Sequence, residues 1–470
     1  MIRGVRSPFT KLRITIIGTL LVSAYYLLLY SAETRLPGKE LPTYSLRYPT
    51  NSESCIDTPA SKKIVVSIKT GASEAVEKIP AQMQTALRCA KNVFFFSDLE
   101  QDLRQFHVHD ALDTIPVSVA GANPDFDFYN KQYQRWRNGE DVSSREGAKN
   151  PEAWTLDKYK FIHSLEKTWA LKPDMDWYVL IDADTYVFWS NLLQWLETMD
   201  PMKKSYFGSE VVISGQRFAH GGSGIVLSKA AMYDIVVKNN GTAAQWDTKT
   251  HDRCCGDLVL GLALKEHGIE LQDVWPSFSG ETPKTMPFGP GTPEYLCRPA
   301  LTMHHVSPAD MTDLSEYEQQ RGNRSACLLL LEPLTHIELF KSLTLDSVRA
   351  QAQRENWDNL ASDPGEYGKT GGVLSKAKSL EECAKACEAD KECFQYGFHG
   401  KCHIGRSIRL GQMRDPDEDG TWQSGWNHAR LNEWVLSQPV CEQVNFPRQG
   451  SECPWYKEPA LGDRPNTTKD

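Results

Sequence analysis

The stretch that decides the fold is Trp177-Tyr-Val-Leu-Ile-Asp182-Ala-Asp184-Thr-Tyr-Val187. An apolar, strand-forming run is followed by two carboxylates at positions i and i+2. In an open α/β sheet, ligands bind beyond the carboxyl ends of the strands. Oxygen ligands at such an edge suit Mg²⁺ or Mn²⁺ bridging a diphosphate. A turn or helix cap built from two aspartates is the alternative, and the stretch alone does not decide between them.

The N-terminus has the pattern of a membrane anchor. Residues 1–13 hold four basic residues and no acid, and residues 14–32 contain no charged residue. About 20 apolar residues cross a bilayer as a helix, and preceding basic residues keep the N-terminus cytoplasmic. A cleaved signal peptide, the alternative, has a shorter apolar region of about 7–15 residues. We predict a cytoplasmic tail at 1–13, a type II signal anchor at 14–32 and a lumenal remainder.

Cysteine usage and sequons agree with a lumenal location. All twelve cysteines follow the anchor, and an even count outside the cytosol predicts disulfides. N-glycosylation sequons begin at Asn240, Asn323 and Asn466. The net charge of −9 gives no reason to expect nucleic-acid binding.

The lumenal part divides by composition. Residues 33–60 are polar and contain four prolines, which predicts a stem. Strand-like and helix-like segments then alternate, which is typical of an α/β domain with a largely parallel sheet, here 61–350. The predicted strands are 64–68, 93–96 and the one bearing Asp182, and the predicted helices are 78–90, 157–171 and 191–199.

A second, smaller unit follows a linker predicted at 351–372, where Asp, Pro, Gly and Lys become frequent. Cys383 and Cys387 lie four residues apart on a predicted helix and therefore share a face. Cys393 and Cys402 follow shortly afterwards. A zinc site is the competing interpretation of four clustered cysteines, and an oxidising compartment disfavours it.

The pattern Ser379-Leu-Glu-Glu-Cys383-Ala-Lys-Ala-Cys387, then Cys393-Phe-Gln-Tyr and Lys401-Cys402, resembles the PAN/apple family. The resemblance covers 373–432 and implies a small disulfide-rich α+β domain. It also implies the pairs Cys383–Cys402 and Cys387–Cys393. Residues 433–470 are left as a C-terminal tail.

Two strand ends and one turn carry further polar groups. Ile68-Lys69-Thr70-Gly71 and Phe96-Ser97-Asp98 each end a predicted strand, where hydroxyl, backbone and carboxylate groups could meet a nucleotide. An ordinary turn acid is the other interpretation of Asp98. His220-Gly221-Gly222-Ser223-Gly224 precedes an apolar strand, and glycines allow close approach of backbone to a ligand. A hairpin or bulge would use the same glycines.

Two later segments offer a base and a metal ligand. In Cys255-Gly256-Asp257-Leu-Val-Leu260-Gly261, Asp257 either caps an apolar helix or acts as a general base. Thr302-Met-His304-His305 supplies two imidazoles, and a neutral imidazole suits Mn²⁺ beside carboxylates. A surface histidine without a function is the plainer reading.

Taken in order, these segments resemble the Fringe-like β1,3-glycosyltransferases of family 31, with the core 1 β1,3-galactosyltransferases as the nearest branch. The resemblance spans about residues 62–310. It implies a GT-A fold, a UDP-sugar donor, Mn²⁺ or Mg²⁺ as cofactor, inversion at the anomeric carbon and a glycan or glycoprotein acceptor. It also implies residence in the Golgi membrane, or in ER and Golgi, and leaves a homodimer open.

The resemblance implies three groups of site residues. The metal ligands are Asp182, Asp184 and His304, with His305 as the alternative to His304. The catalytic base is Asp257. The donor nucleotide is contacted by Thr70, Asp98, Asp182, Ala183 and Asp184, and the sugar and acceptor pocket is lined by Gly221, Gly222 and Trp275.

This chain departs from the family pattern at two places. Ala183 stands where the family commonly has the middle of three consecutive acids, and Gly256, after the vicinal Cys254-Cys255, stands where an acid is often found. Galactose is the favoured donor sugar, with N-acetylglucosamine or another UDP-sugar open. The alternatives are a non-catalytic carbohydrate-binding protein with a degenerate GT-A domain and, with a poorer fit, a glycosidase that uses Asp182 and Asp184.

Overall fold

In the computed structural model, the described residues are 55, 58–142, 150–290, 296–323, 332–363, 373–438, 441 and 444–449. Residues 134–141 belong to one compact unit, and the other described residues belong to a second. The predicted cytoplasmic tail, anchor and most of the stem lie outside the described residues, as do Asn466, Cys327 and Cys453. Within the ranges given, no helix is both long enough and apolar enough to cross a membrane.

The strands of the described residues are short and begin with the central strands of the main sheet. In chain order they are β1 Ile64–Lys69, β2 Val93–Ser97, β3 Gln101–Leu103, β4 Phe106–Asp110, β5 Trp177–Asp182, β6 Tyr186–Val187, β7 Tyr206–Gly208, β8 Glu210–Ile213, β9 Gln216–Ala219, β10 Ile225–Ser228, β11 Leu271–Asp273, β12 Phe278–Ser279, β13 Thr302–Met303, β14 Gln353–Glu355, β15 Trp357–Asp358, β16 Val373–Ser375, β17 Gln395–His399, β18 Lys401–Gly405, β19 Gln412–Met413 and β20 Gln423–Trp426.

The α-helices follow the same order along the chain. They are α1 Ala75–Gln84, α2 Val117–Ala120, α3 Asp127–Arg137, α4 Pro151–Asp157, α5 Lys160–Leu171, α6 Trp189–Glu197, α7 Lys229–Met232, α8 Thr242–Trp246, α9 Gly256–Glu266, α10 Pro308–Asn323, α11 His336–Leu339, α12 Asp346–Ala350, α13 Leu380–Ala389 and α14 His428–Ser437. Short 3-10 turns occupy Ser61–Lys63 and Pro124–Phe126, and π-helical turns occupy Tyr233–Lys238 and Phe340–Leu345.

The main sheet is mixed, with the strand order β11-β7-β10-β5-β1-β2-β4-β3 among the described residues. Strand β5 pairs in parallel with β1 and antiparallel with β10. The prediction of an α/β domain is confirmed, whereas the expectation of a largely parallel sheet holds for the β5-β1-β2-β4 part. Strand β10 runs the other way because the chain reaches it through the β8–β9 hairpin. A short apolar run does not encode strand direction.

Alternate residues of the central strands pack on opposite faces of the sheet, as the pleat requires. Val66 and Val179 join the core cluster that also contains α6, while Val65 and Tyr178 join the cluster with α5 and α9. Both faces are therefore covered, which is why the central strands are apolar throughout. Their carboxyl ends are left at the sheet edge, where Asp182 ends β5.

The predicted helices are present with shifted boundaries. Helix α1 begins before the predicted 78–90 and ends at Gln84, after which the chain makes turns. The helix predicted at 157–171 corresponds to α5, which begins three residues later, and the one predicted at 191–199 is α6.

The C-terminal unit is an antiparallel sheet in the order β14-β20-β17-β18-β16, with α13 packed against it. Disulfides join Cys383 to Cys402 and Cys387 to Cys393, which are the pairs that the resemblance implied. All four cysteines are fully buried together with Tyr396 in a small core. The cysteines therefore attach the helix to the strands.

Two predicted boundaries need correction. Strand β14 lies in the segment predicted as a linker, and pairs with β20 of the C-terminal sheet. It is the polar edge strand Gln-Arg-Glu, so no apolar alternation revealed it in the sequence. Helix α14 crosses the predicted end of this unit at 432, and its Leu431 and Trp434 enter the core cluster of the main domain.

The predicted tail returns to the main domain. A disulfide joins Cys297 to Cys441 over 144 residues of sequence. The indole nitrogen of Trp195, on α6, donates a hydrogen bond of 2.8 Å to the carbonyl of Pro447. The other disulfides among the described residues are Cys55–Cys89 and Cys254–Cys255. The two parts of the chain are thus joined by a shared core and a covalent bridge.

Glu318 on α10 provides a test of this packing. The Tyr186 hydroxyl donates a 2.5 Å hydrogen bond to its carboxyl, and burial raises the pKa of Glu318 to about 7 from its ordinary 4.5. Because the fold favours the protonated carboxyl, Glu318 contributes to the free energy of unfolding below about pH 4.5. This contribution is lost as pH rises through about 7. Gln keeps an acceptor for Tyr186 without the charge. We expect Glu318→Gln to be more stable than the wild type at pH 8, by about 2 kcal/mol, and nearly equal at pH 4.5.

Urea unfolding from pH 4.5 to 8 measures this difference. Glu316→Gln, an exposed position on the same helix, is the matched control and should run parallel to the wild type. Parallel curves for Glu318→Gln and the wild type would contradict the buried-carboxyl assignment.

Candidate active site

The end of strand β5 is held by a lysine of the neighbouring strand. Lys69 pairs with Asp182 in the β1–β5 register, and its ammonium lies 3.0 Å from Asp182 Oδ1 and 2.6 Å from Asp157 Oδ2. Burial alone would lower the pKa of Lys69, but the two carboxylates outweigh it and raise that pKa. Asp182 is therefore a fixed, partly neutralised carboxylate.

Asp184 contacts both a histidine and a lysine. Its Oδ1 lies 3.1 Å from His304 Nε2, and its Oδ2 lies 3.2 Å from Lys78 Nζ. Burial would raise the pKa of Asp184, but His304 and Lys78 lower it below its usual range. Its carboxylate stays ionised. One of its oxygens faces the His304 imidazole, and the other faces the Lys78 ammonium.

His304 and His305 complete a set of metal-binding donors. Ligand atoms of Asp184, His304 and His305 all lie within 4.8 Å of one another. The two imidazole rings are 3.8 Å apart between centroids, and burial lowers the pKa of His305, which favours its neutral form. His304 Nδ1 is buried and has no hydrogen-bond partner within the described part of the chain. This donor set of carboxylate oxygen and imidazole nitrogen fits Mn²⁺.

The glycine turn is shaped by its neighbours. A Cβ at position 222 would lie within 2.5 Å of ring atoms of His304, and a Cβ at 221 would lie 2.7 Å from the Phe161 ring. The Thr185 hydroxyl donates a 2.7 Å hydrogen bond to the carbonyl of Gly222. Glycine is therefore required here for close packing.

Asp257 is held at the start of helix α9. The backbone N–H of Gly221 donates to its Oδ2, and that of Leu258 donates to its Oδ1, both at 2.9 Å. Burial nevertheless raises the pKa of Asp257. A carboxylate with an increased proton affinity, oriented by two N–H groups, is suited to act as a general base.

The packing around position 256 explains why glycine stands there, where the family pattern often has an acid. A Cβ at this position would overlap the Phe161 ring and would lie 2.8 Å from the carbonyl oxygen of Lys158. An acidic side chain has no room at position 256 in this packing. The Cys254–Cys255 disulfide directly precedes this glycine.

Asp98 and Thr70 lie at the ends of their strands, but their side chains are enclosed. Asp98 is 2 % exposed, and accepts hydrogen bonds of 2.7 Å from the Ala72 N–H and the Gln132 side chain. Thr70 is also buried, and its carbonyl accepts a 2.9 Å hydrogen bond from Lys160 Nζ. Both residues support the loop after β1, so their direct contact with a nucleotide stays a prediction.

Ala183 lines a cavity of about 170 Å³ together with Lys78, Asp184 and His305. Trp275 is partly buried and packs against the main core, beside the cis peptide that joins it to Pro276. A contact of Trp275 with a sugar stays a prediction. Asn240 is exposed at a turn, which leaves it accessible for glycosylation.

No sequence pattern indicated a role for three lysines of this region. Lys69, Lys78 and Lys160 lie close to the acids Asp182, Asp184 and Asp98, at 3.0, 3.2 and 3.4 Å respectively. Lys160 is 2 % exposed, and a buried lysine needs charged partners.

Acids at the end of a central strand lie beside a histidine, and the glycine turn holds a carboxylate at a helix start, an arrangement compatible with a sugar-nucleotide transferase. Comparison with known families agrees: residues 60–278 match the Fringe-like family. The match covers most of the domain that carries the main sheet, whose mixed α/β architecture is consistent with a GT-A-like fold, and it supports a glycosyltransferase. The match contains Asp182, Asp184 and Asp257, whereas His304 lies beyond it.

The close packing at Gly222 can be tested by adding one methyl group. Gly222→Ala should push the His304 ring away and lower the stability by about 1–3 kcal/mol, as overpacking does. Gly280→Ala is the matched control, because its Cβ would meet its nearest neighbour at an ordinary 3.5 Å. Thermal unfolding of both variants measures the effect, and equal melting temperatures would show that the turn is looser than described.

Proposed function

We propose that this protein is an inverting, Mn²⁺-dependent β1,3-glycosyltransferase that moves a sugar, galactose in the first instance, from a UDP-sugar to a glycan or glycoprotein acceptor. The observation that carries this proposal is the glycine turn. Gly221 holds the carboxylate of Asp257, and the next residue, Gly222, packs against His304, which contacts Asp184. One short segment thus connects a base to a cation-binding group.

Asp184 and His304 would hold the cation, with His305 as the alternative ligand and Asp182 in support. When bound, the cation neutralises negative charge on the diphosphate leaving group. Asp182 supports the site indirectly, because its Oδ1 is paired with Lys69 and its Oδ2 lies 3.9 Å from His304.

Asp257 is the proposed base. Its raised proton affinity and its two backbone hydrogen bonds allow it to take the proton from the acceptor hydroxyl as that oxygen attacks the anomeric carbon. A single displacement needs one base and no enzyme nucleophile, and it inverts the configuration. The transition state resembles the oxocarbenium ion of glycoside hydrolysis.

Membrane attachment is part of the proposal. The apolar segment 14–32 would anchor the protein in the Golgi membrane, or in ER and Golgi, with the folded part in the lumen. The disulfides and the exposed Asn240 are compatible with that compartment. We further take the C-terminal unit to be PAN/apple-like, because its helix is attached to an antiparallel sheet by two disulfides.

A donor screen tests the proposed reaction. The full-length protein in detergent is incubated with UDP-galactose, UDP-N-acetylglucosamine and UDP-glucose, with Mn²⁺ or with a chelator, and released UDP is measured. We expect release that depends on Mn²⁺ and is fastest with UDP-galactose. Absence of release with every donor, or release that a chelator does not affect, would refute the proposal.

The base assignment gives a separate expectation. Asp257→Asn should lower transfer about 10²- to 10⁴-fold, because the amide cannot accept the proton. UDP binding should be unchanged, since Asp257 does not contact the cation-binding group. Asp252→Asn, at an exposed acid in the loop before α9, is the control. Equal losses of transfer and UDP binding in Asp257→Asn would sink the assignment.

The two acids of the opening motif should differ. Asp184→Asn is expected to weaken Mn²⁺ binding roughly 10- to 100-fold, as loss of a metal-site group does. Asp182→Asn should cause a smaller loss, because the donor atoms that lie within 4.8 Å of one another belong to Asp184, His304 and His305. Titration of free Mn²⁺ by electron paramagnetic resonance distinguishes them. Equal losses would instead make both acids direct ligands.

A further inference from the structure

We propose that Lys78 binds the diphosphate of the donor. When the divalent cation is bound, the Lys78 ammonium exchanges its contact with Asp184 for contacts with the phosphate oxygens. This inference rests on the proposed function and adds to it a residue that no sequence motif marks. Lys78 would then serve the site twice, as a stand-in for the cation when the site is empty and as a phosphate ligand when it is loaded.

The position of Lys78 provides the first argument. Its ammonium lies 3.2 Å from Asp184 Oδ2 and 3.0 Å from Oε1 of Glu74, the N-cap residue of α1. Its side chain lines the cavity of about 170 Å³ to which Asp184 and His305 also contribute. A cationic side chain therefore shares a cavity with two candidate metal ligands.

Charge provides the second argument. A divalent cation on Asp184 would bring two positive charges to a carboxylate that already pairs with the Lys78 ammonium, and like charges a few ångströms apart repel strongly in a partly buried site. This repulsion favours movement of Lys78 away from Asp184. Glu74 still holds it at the edge of the cavity, which leaves donor capacity on its ammonium for a negatively charged ligand. Lysine is a common phosphate ligand because it is a compact charge.

The missing middle acid provides the third argument. Ala183 is 2 % exposed and lines the same cavity as Lys78. Lys78 already pairs with Glu74 and Asp184, and an acid at this position would add a third carboxylate to the region, whereas alanine adds none. The diphosphate therefore competes with one carboxylate fewer for Lys78. In this chain the departure from three consecutive acids favours contact between lysine and diphosphate.

The start of α10 also lines the cavity and is compatible with an anion. Ser307 and Pro308 line the cavity there, and the helix of 16 residues has the positive end of its dipole at this terminus. The Ser307 hydroxyl already accepts from the Asp310 N–H at 3.2 Å and donates to the Asp310 carboxylate at 2.8 Å. The helix start is thus an addition to the role of Lys78 and not its basis.

Lys78→Gln in the full-length protein tests the proposal through two binding measurements. With saturating Mn²⁺, calorimetry should show UDP affinity lowered roughly 10- to 100-fold, the loss typical of a hydrogen bond to a charged group. Without nucleotide, Mn²⁺ affinity should be equal or higher, because Lys78 no longer competes for Asp184. Lys78→Arg should keep most of the UDP affinity, and the exposed Lys203→Gln is the matched control.

Each other outcome overturns a defined part. A joint loss of Mn²⁺ and UDP binding with a lower melting temperature would make Lys78 a structural ion-pair residue and overturn the proposal. Unchanged UDP affinity in Lys78→Gln, with normal binding by the wild type, would overturn the role of Lys78 alone. No UDP binding by the wild type would overturn the proposed function and this inference together.

Discussion

The pairing of β5 with β1 is the constraint on which the rest of the site depends. Its register places Lys69 beside Asp182, and the chain then turns once to present Asp184. On the other side, β10 pairs with β5, so the glycine turn just before β10 arrives at the same edge. Every charged group of the site is positioned relative to that edge. A shift of one residue in this register would turn each side chain to the other face of the sheet.

Residues whose roles follow from local pattern were predictable from the sequence. The Asp182/Asp184 pair and the glycine turn are local signals, because an apolar strand and a run of glycines are visible in a few residues. The roles of Lys69, Lys78 and Lys160 depend on which strands and helices become neighbours, and no short pattern records that. The direction of β10, the polar edge strand β14 and the Cys297–Cys441 bridge were missed for the same reason.

The departures from the family pattern have physical explanations. Gly256 is required because the Phe161 ring occupies the space of a side chain there. The Phe161 ring also leaves no room for a side chain at position 221. One aromatic ring therefore requires glycine at two positions, 221 and 256, that both neighbour Asp257. Lys69 lies 4.7 Å from the centre of that ring. Asp257, the glycine turn and the β1 lysine are thus packed around a single side chain.

The bridge between Cys297 and Cys441 brings the segment that follows the C-terminal unit back to the main domain. The segment that follows the C-terminal unit returns to cover the indole of Trp195, on a helix of the glycosyltransferase domain. Cutting the chain after residue 350 would therefore expose the surface of that domain that this segment covers. It would also leave the thiol of Cys297 without its disulfide partner.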